Sequence, residues 1–87
     1  MYGVVWMDIE YYKNYVEIVE KGNISAAARN CHLAQPALSN QLKVLEKFYG
    51  AKLLIRGSRK VELTEAEKIV YKGAKKLVEL EFQIAQE

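Results

Sequence analysis

Residues 32–46 read HLAQPALSNQLKVLE, and this stretch decides the fold. Its apolar residues recur at three- and four-residue spacing, so they lie along one face of a helix: Leu38, Leu42, Leu45 and Tyr49. Proline is favoured at the first position of a helix, where its missing N–H is not needed. The sequence therefore predicts a helix that has Gln35 as its cap and Pro36 as its first residue, and that ends at Gly50.

The opposite face of this helix carries small polar and basic residues: Pro36, Ser39, Asn40, Lys43 and Lys47. A shorter, alanine-rich helix precedes it, predicted from Ala26 to about Cys31 with Ser25 as its cap. Two helices joined by a short turn, the second with such an outer face, indicate a helix-turn-helix.

A first helix is predicted from its cap at Asp8 to about Lys21, followed by Gly22 in the left-handed region. Its apolar positions include Tyr11, Tyr12 and Tyr15, which are expected to be core and interface aromatics. Residues 1–7 precede the periodic pattern and are interpreted as an N-terminal extension.

The segment after Gly50 predicts a β-hairpin with strands at about Lys52–Arg56 and Lys60–Leu63 and a turn at Gly57 and Ser58. Its tip gathers basic residues: Arg56, Arg59 and Lys60. A basic hairpin after a helix-turn-helix is a wing. The predicted fold is mainly α, a winged helix-turn-helix with a three-helix core over residues 8–63.

Residues 64–87 predict a long final helix, from residue 65 to about 86, with Thr64 and Glu67 as a capping box. It carries two apolar stripes, which together are wider than one small domain covers. One stripe is heptad-like and includes the candidate dimerisation residues: Val70, Leu77, Leu80 and Ile84. The alternative is that a missing part of the chain covers this surplus.

Composition favours a folded cytoplasmic domain, since 51% of the 87 residues are hydrophobic and no apolar run suits a membrane span. The single cysteine forms no internal disulfide, which fits a reducing compartment. The net charge is only +2, but the segment from position 21 to 61 contains eight basic residues and a single acid, Glu46. Such a basic stretch attracts a polyanion, most often nucleic acid, although an ordinary solvated surface remains an alternative.

The residue types suit a DNA interface. The Gln35 amide has the groups to bond the N6 and N7 edge of adenine, or it is an ordinary exposed residue. The short side chains of Ser39 and Asn40 allow a close approach to a groove. The basic residues suit phosphates, though each alone is more often a solvated charge than a contact: Arg29, Lys43, Lys47, Arg56, Arg59 and Lys60.

No catalytic, cofactor or metal site is expected, because Cys31 and His32 stand side by side without a partner cluster. Cys31 is predicted to be buried, and His32 to adopt a positive φ in the turn. A competing hypothesis is a winged-helix module that binds a protein instead of DNA.

In order and spacing, several short motifs resemble the DNA-binding domain of LysR-type transcriptional regulators: Ala27–Ala28, Gln35–Pro36, Leu38–Ser39, Leu45–Glu46, Gly50, Leu53, Arg56 and Leu63–Thr64. The resemblance implies a winged helix-turn-helix whose long linker helix pairs two protomers on an inverted-repeat operator. It also implies a larger C-terminal domain, absent from this chain, which would take a small-molecule effector.

The resemblance further implies roles for individual residues. Gln35, Pro36, Ser39 and Asn40 would meet DNA at the front of the recognition helix. Ser25 and Lys43 would contact phosphates, and Arg56 and Arg59 would lie at the wing. Asn40 departs from the family pattern, because an arginine is common there.

Overall fold

The computed structural model describes residues 8–56, 61–62 and 65–86, and for residues 55–56, 61–62 and 66 it describes the backbone alone. The elements within these residues are α1 (Ile9–Lys21), α2 (Ile24–Cys31), α3 (Gln35–Tyr49), β1 (Ile55–Arg56), β2 (Val61–Glu62) and α4 (Glu65–Gln86). The strands pair antiparallel, with Ile55 opposite Glu62 and Arg56 opposite Val61. This order confirms the predicted fold class, a mainly helical winged helix-turn-helix followed by a long helix.

The two ends of α1 follow the local chemistry of the sequence. Asp8 Oδ1 accepts a hydrogen bond from the backbone N–H of Glu10 at 3.1 Å, so Asp8 caps the helix as predicted. Gly22 follows the last turn with φ at 69°, and its N–H donates to the carbonyl of Ile18. A left-handed residue at this place is the usual helix ending, and glycine adopts it without steric cost.

The start of α2 differs from the prediction. Asn23 is the cap, since its Oδ1 accepts from the N–H of Ala26 at 2.9 Å, and Ser25 lies inside the first turn. The prediction that Ser25 caps this helix is wrong. Asparagine and serine are comparably good caps, so residue preference alone did not decide between them.

The turn between α2 and α3 is made by residues 32–34. His32 has φ at 59°, as predicted, and the N–H of Leu33 reaches back to the carbonyl of Ala28 at 2.9 Å. His32 also donates its N–H to the carbonyl of Arg29 at 3.2 Å. This pair of reverse hydrogen bonds is the Schellman ending of a helix, and it sets the angle at which α3 leaves α2.

Helix α3 begins one residue earlier than predicted. Ala34 is the cap, because its carbonyl accepts from the N–H groups of Ala37 and Leu38 at 3.0 and 3.2 Å. Gln35 is thus the first helical residue, not the cap, and Pro36 is the second. Proline is tolerated there because that N–H has no partner inside the helix. The helix ends at Gly50 as predicted, with φ at 68°.

The hydrophobic core lies around α1, which packs against each of the other three helices. Its buried apolar members are Tyr15, Val16, Ile18, Ile24, Ala27, Ala28, Leu38, Leu42, Leu45, Leu53, Leu54 and Ala74. The small side chains of Ala27 and Ala28 let α2 approach its neighbours closely. Burial of each leucine of α3 contributes about 1.5–3 kcal/mol, which fixes the side of the helix that faces inward.

Two predicted core positions are more exposed than expected. Tyr49 is 41% exposed, and its hydroxyl lies 2.8 Å from the Tyr12 hydroxyl at the rim of the core. Cys31 is only half-buried, because α2 ends at this residue. Burial, followed by Glu17 and Glu10, raises the pKa of the Cys31 thiol, so its reactive thiolate form is disfavoured.

The first strand is shorter than predicted, since it begins at Ile55 instead of Lys52. Leu53 and Leu54 precede it and are buried in the core. The predicted turn at Gly57 and Ser58 and the predicted cap at Thr64 lie outside the described residues. Helix α4 runs to Gln86, as predicted, and ion pairs join it to α1: Lys13 with Glu81 at 3.2 Å and Lys75 with Glu20 at 3.5 Å. Among the described helices, none has both the length and the hydropathy of a membrane span.

Candidate nucleic-acid interface

The outward side of α3 forms a continuous polar and basic surface. Pro36, Asn40, Lys43 and Lys47 follow one another at helical spacing, and all four side chains are exposed. We call these four residues the recognition face. It lies opposite the three buried leucines of α3, because the two sets are about half a turn apart around the helix axis. Burial of the leucines therefore presents the recognition face to the outside.

The N-terminal edge of the recognition face is formed by Gln35 and Ser39. Gln35 is exposed at the first helical position, while Ser39, one turn later, is half-buried. The structure thus brings together the four residues that were expected to read bases. Their side chains are short or project from the start of the helix. They therefore do not prevent the backbone of α3 from approaching a partner closely.

Ser25 lies beside this edge. Its hydroxyl donates a hydrogen bond to Gln35 Oε1 at 2.8 Å, although the two residues are ten positions apart. This contact joins the first turn of α2 to the first turn of α3. It was not predicted, because the sequence carries no signal for it: only the docking angle of the two helices brings the side chains together.

Of the six cations of α1 and α4, four are paired with glutamates, whereas Lys72 and Lys76 are exposed and pair with no acid of the described chain. Lys13, Lys21, Lys68 and Lys75 each form an ion pair with a glutamate. Four basic residues of the helix-turn-helix and the loop after it are exposed and pair with no acid of the described chain: Arg29, Lys43, Lys47 and Lys52. Their charges are consequently available to an external anion.

The single acid among these cations is held away from them. Glu46 Oε2 accepts a hydrogen bond from the backbone N–H of Leu53 at 3.0 Å. That bond ties α3 to the segment that enters β1. Glu46 thereby has a structural role, and its carboxylate does not neutralise Lys43 or Lys47 through an ion pair.

On the inner side, a buried polar contact fixes α3 against α1. Asn14 is 7% exposed and donates from Nδ2 to Gln41 Oε1 at 2.6 Å. Neither residue was among the site residues predicted from the sequence. An asparagine within an apolar helical stripe signals a buried polar contact, because a buried amide needs a hydrogen-bond partner.

The wing is described only in part. Arg56 is in β1, paired with Val61 in β2, which places it on the strand as predicted. Arg59 and Lys60 lie outside the described residues, so their roles stay predictions. No cluster of three or more histidine, cysteine, aspartate or glutamate side chains suited to a metal ion occurs in the described part of the chain.

Helix α4 exposes an apolar stripe that is separate from the recognition face. Of the candidate dimerisation residues, Leu77, Leu80 and Ile84 are exposed, whereas Val70 is half-buried against the core of its own domain. Ile69, which was not among the predicted dimerisation residues, is 75% exposed at the edge of this stripe. Helical spacing places Ile69 on the same face as Gly73 and Leu80, so its position could have been predicted from the sequence. We call Ile69, Gly73, Leu77, Leu80 and Ile84 the α4 seam.

A helix-turn-helix with an exposed basic second helix, followed by a short antiparallel strand pair, defines the winged helix-turn-helix class of regulatory domains. The family model for bacterial regulatory helix-turn-helix proteins of the lysR family matches residues 9–66. The chain belongs to this family.

Several curated relatives are similar to the chain. The nitrogen assimilation regulatory protein nac of Klebsiella aerogenes is 43% identical over 72 residues, which are 83% of this chain and 24% of that protein. The probable cat1 operon transcriptional activator of Acinetobacter lwoffii is 40% identical over 68 residues, 78% of this chain and 22% of that protein. The chain therefore spans about a quarter of the length of these relatives.

Solved structures also match closely. The complex of the BenM DNA-binding domain with catB site 1 DNA has a TM-score of 0.86 at 35% identity, and the match covers 92% of this chain and 90% of that one. The complex of the CbnR DNA-binding domain with DNA has a TM-score of 0.83 at 32% identity, with 92% of each chain covered. Full-length BenM gives 0.84 at 35% identity, with 92% of this chain and 26% of that one covered.

Proposed function

We propose that this chain is the DNA-binding module of a LysR-family transcriptional regulator and that it binds duplex DNA with sequence preference. The observation that carries the proposal is the recognition face, a polar and basic surface held outward by the buried leucines of α3. Domains of similar fold and 32–35% identity are known in complexes with DNA, which supports the same use of this surface.

In this proposal α3 enters the major groove, which is wide enough to admit a helix. Gln35, Pro36, Ser39 and Asn40 face base edges, where amide and hydroxyl groups distinguish one base pair from another. Asn40 presents an amide where the family commonly has an arginine. We therefore expect the base preference of this chain to differ from that of relatives with arginine at this position.

The exposed cations supply affinity. Lys43 and Lys47 on the recognition face and Arg29 in α2 have no acid partner in the described chain, so each is available to a phosphate. We extend the same role to the wing residues Arg56, Arg59 and Lys60. Contacts of this kind position a protein on the duplex and make binding depend steeply on salt, but they do not select a sequence.

We also propose that two copies pair through the α4 seam. One face of α4 is covered by α1, while Leu77, Leu80 and Ile84 on the seam remain exposed along the helix. A second copy of the same helix is the partner that fits, because a heptad-like row on one helix matches the same row on another. Two recognition helices related by a two-fold axis would bind an inverted repeat.

The length of the curated relatives supports a further step. Since this chain matches only 22–32% of the first of them, we propose that the whole regulator carries a larger C-terminal domain that senses a small molecule. The relatives are transcriptional regulators by name, and we propose a cytoplasmic regulator without enzymatic activity.

The decisive experiment is a pair of binding measurements. Selection of bound duplexes from a random pool is expected to yield an inverted repeat, and affinity for the selected duplex is expected to exceed that for random duplex by ~10³-fold or more. Salt titration on random duplex is expected to give a steep negative log–log slope. Absence of binding to any duplex at low salt would refute the proposal and favour a winged-helix module that binds a protein.

A further inference from the structure

The hydroxyl of Ser25 has an unusual position in α2. Serine side chains often cap a helix from the position before its first turn, but Ser25 lies inside that turn. In this chain Asn23 performs that task through its bond to Ala26. The Ser25 hydroxyl is therefore not needed by its own helix, and it donates instead to Gln35 Oε1 at 2.8 Å.

This bond fixes how the Gln35 amide is turned. The carbonyl oxygen points towards α2, so the Nε2 group points away from Ser25 and has no hydrogen-bond partner in the described chain. A free glutamine side chain samples many rotamers, and ordering it on a base costs conformational entropy. A side chain that is already held by the protein loses less of this entropy on binding.

The same bond restricts what Ser25 itself offers to DNA. A hydroxyl has one proton and can therefore donate one hydrogen bond. A phosphate oxygen of DNA accepts hydrogen bonds but has no proton with which to donate one. While Ser25 donates to Gln35, it has no proton left for a phosphate. The geometry thus conflicts with the role of phosphate contact that the family resemblance implied for Ser25.

We propose that Ser25 is a positioning residue that sets base specificity by holding the Gln35 amide, so that Nε2 leads into the groove as a donor to an acceptor atom on a base edge. The inference rests on the proposed function, because it needs α3 to bind in the major groove. The acceptors available there are purine N7, guanine O6 and thymine O4.

A double-mutant cycle tests this proposal. Ser25→Ala, Gln35→Ala and the double variant are measured on the selected duplex and on random duplex. We expect Ser25→Ala to weaken binding to the selected duplex by about tenfold while leaving random duplex unchanged, because coupled neighbours lose a shared interaction. In the Gln35→Ala background the same change is expected to have no further effect. Ser25→Thr, which keeps the hydroxyl, is expected to restore most of the binding.

Lys43→Ala is the matched control, because a phosphate contact affects both duplexes equally. If Ser25→Ala weakens binding to both duplexes equally, Ser25 contacts the DNA backbone and the proposal is wrong. The same conclusion follows if the effect of Ser25→Ala persists in the Gln35→Ala background. Melting temperatures of all variants report any loss of fold. Wild-type protein that binds neither duplex refutes the proposed function itself, an outcome distinct from these.

Discussion

The Asn14 side chain donates a hydrogen bond from Nδ2 to Gln41 Oε1 over 2.6 Å, which joins the central helix α1 to the recognition helix α3. Asn14 is buried, and its amide bonds a polar atom of α3 on the side away from the recognition face. The contact adds a directional interaction to the apolar packing, since hydrophobic burial by itself is non-directional. Leucine burial decides which side of α3 faces inward, and a directional hydrogen bond also restrains its rotation.

We expect Asn14→Ala to lower the free energy of unfolding by about 1–3 kcal/mol, because it removes a buried hydrogen bond and leaves Gln41 with an unmatched acceptor. Urea denaturation measures this change. Asn30→Ala is the matched control: Asn30 also donates an amide bond at 2.6 Å, to Glu17, but on the exposed surface. Its loss is expected to cost less than about 0.5 kcal/mol. Equal costs for the two variants would show that the Asn14 bond is no more than a surface contact.

Gln35→Ala is expected to weaken binding to the selected duplex by about 1–3 kcal/mol and to leave binding to random duplex nearly unchanged, since a base contact carries sequence information. Fluorescence anisotropy on both duplexes measures the two affinities. Lys47→Ala is the contrasting variant. It is expected to weaken both duplexes alike and to reduce the magnitude of the log–log salt slope by about 1. A uniform loss for Gln35→Ala would show that Gln35 does not read a base.

Leu80→Lys is expected to convert the proposed dimer to monomer, because Leu80 is 54% exposed on the α4 seam and an unpaired ammonium buried in the interface opposes association. Sedimentation equilibrium measures the change. Gln86→Lys adds the same charge to the same helix outside the seam, and it is expected to leave the association constant within about twofold, as is usual for exposed substitutions. Dimers that persist in the Leu80→Lys variant would place the interface elsewhere.

Tyr15 should make stability fall at alkaline pH. Burial, followed by Glu67, Tyr71 and Glu46, raises the pKa of its phenol well above the ordinary value of about 10. Above pH ~10 the unfolded chain loses this proton while the folded chain retains it, so the free energy of unfolding decreases as the pH rises. The stabilisation is fully present below that pH.

Tyr15→Phe is therefore expected to flatten the alkaline part of the stability profile, measured by urea denaturation at a series of pH values. At neutral pH the change in stability should be small, because the Tyr15 hydroxyl is buried without a hydrogen-bond partner in the described chain. Part of the alkaline decrease should remain, since the pKa values of Tyr12 and Tyr71 are raised as well. An alkaline decrease identical to that of the wild type would contradict this role of Tyr15.

Local signals in the sequence were sufficient for most of the fold. The spacing of Leu38, Leu42 and Leu45 predicted which side of α3 is buried, because helical periodicity is a property of the chain itself. Gly22, His32 and Gly50 were correctly placed at helix ends, since few residues adopt a positive φ without strain. The exposed charge around α3 was likewise expected, because the segment contains only one acid.

The predictions from sequence were wrong at positions where two residues had similar local preferences, and at positions where the hydrophobic core ends. Asn23 and Ser25 are both good caps, so only the hydrogen bond to Ala26 distinguishes them. Tyr49 continues the leucine spacing, but it lies beyond the last turn that the core covers. Residue type and periodicity contain no information on where a neighbouring element stops.

By itself, the sequence determined the helices, the order of the elements and the recognition face, since each follows from interactions between residues a few positions apart. Only the tertiary structure decided which side chains meet across elements. Ser25 reaches Gln35, and Asn14 reaches Gln41, through the angles at which α2 and α1 pack on α3. Those angles result from the simultaneous packing of the whole core, so no local pattern encodes these contacts.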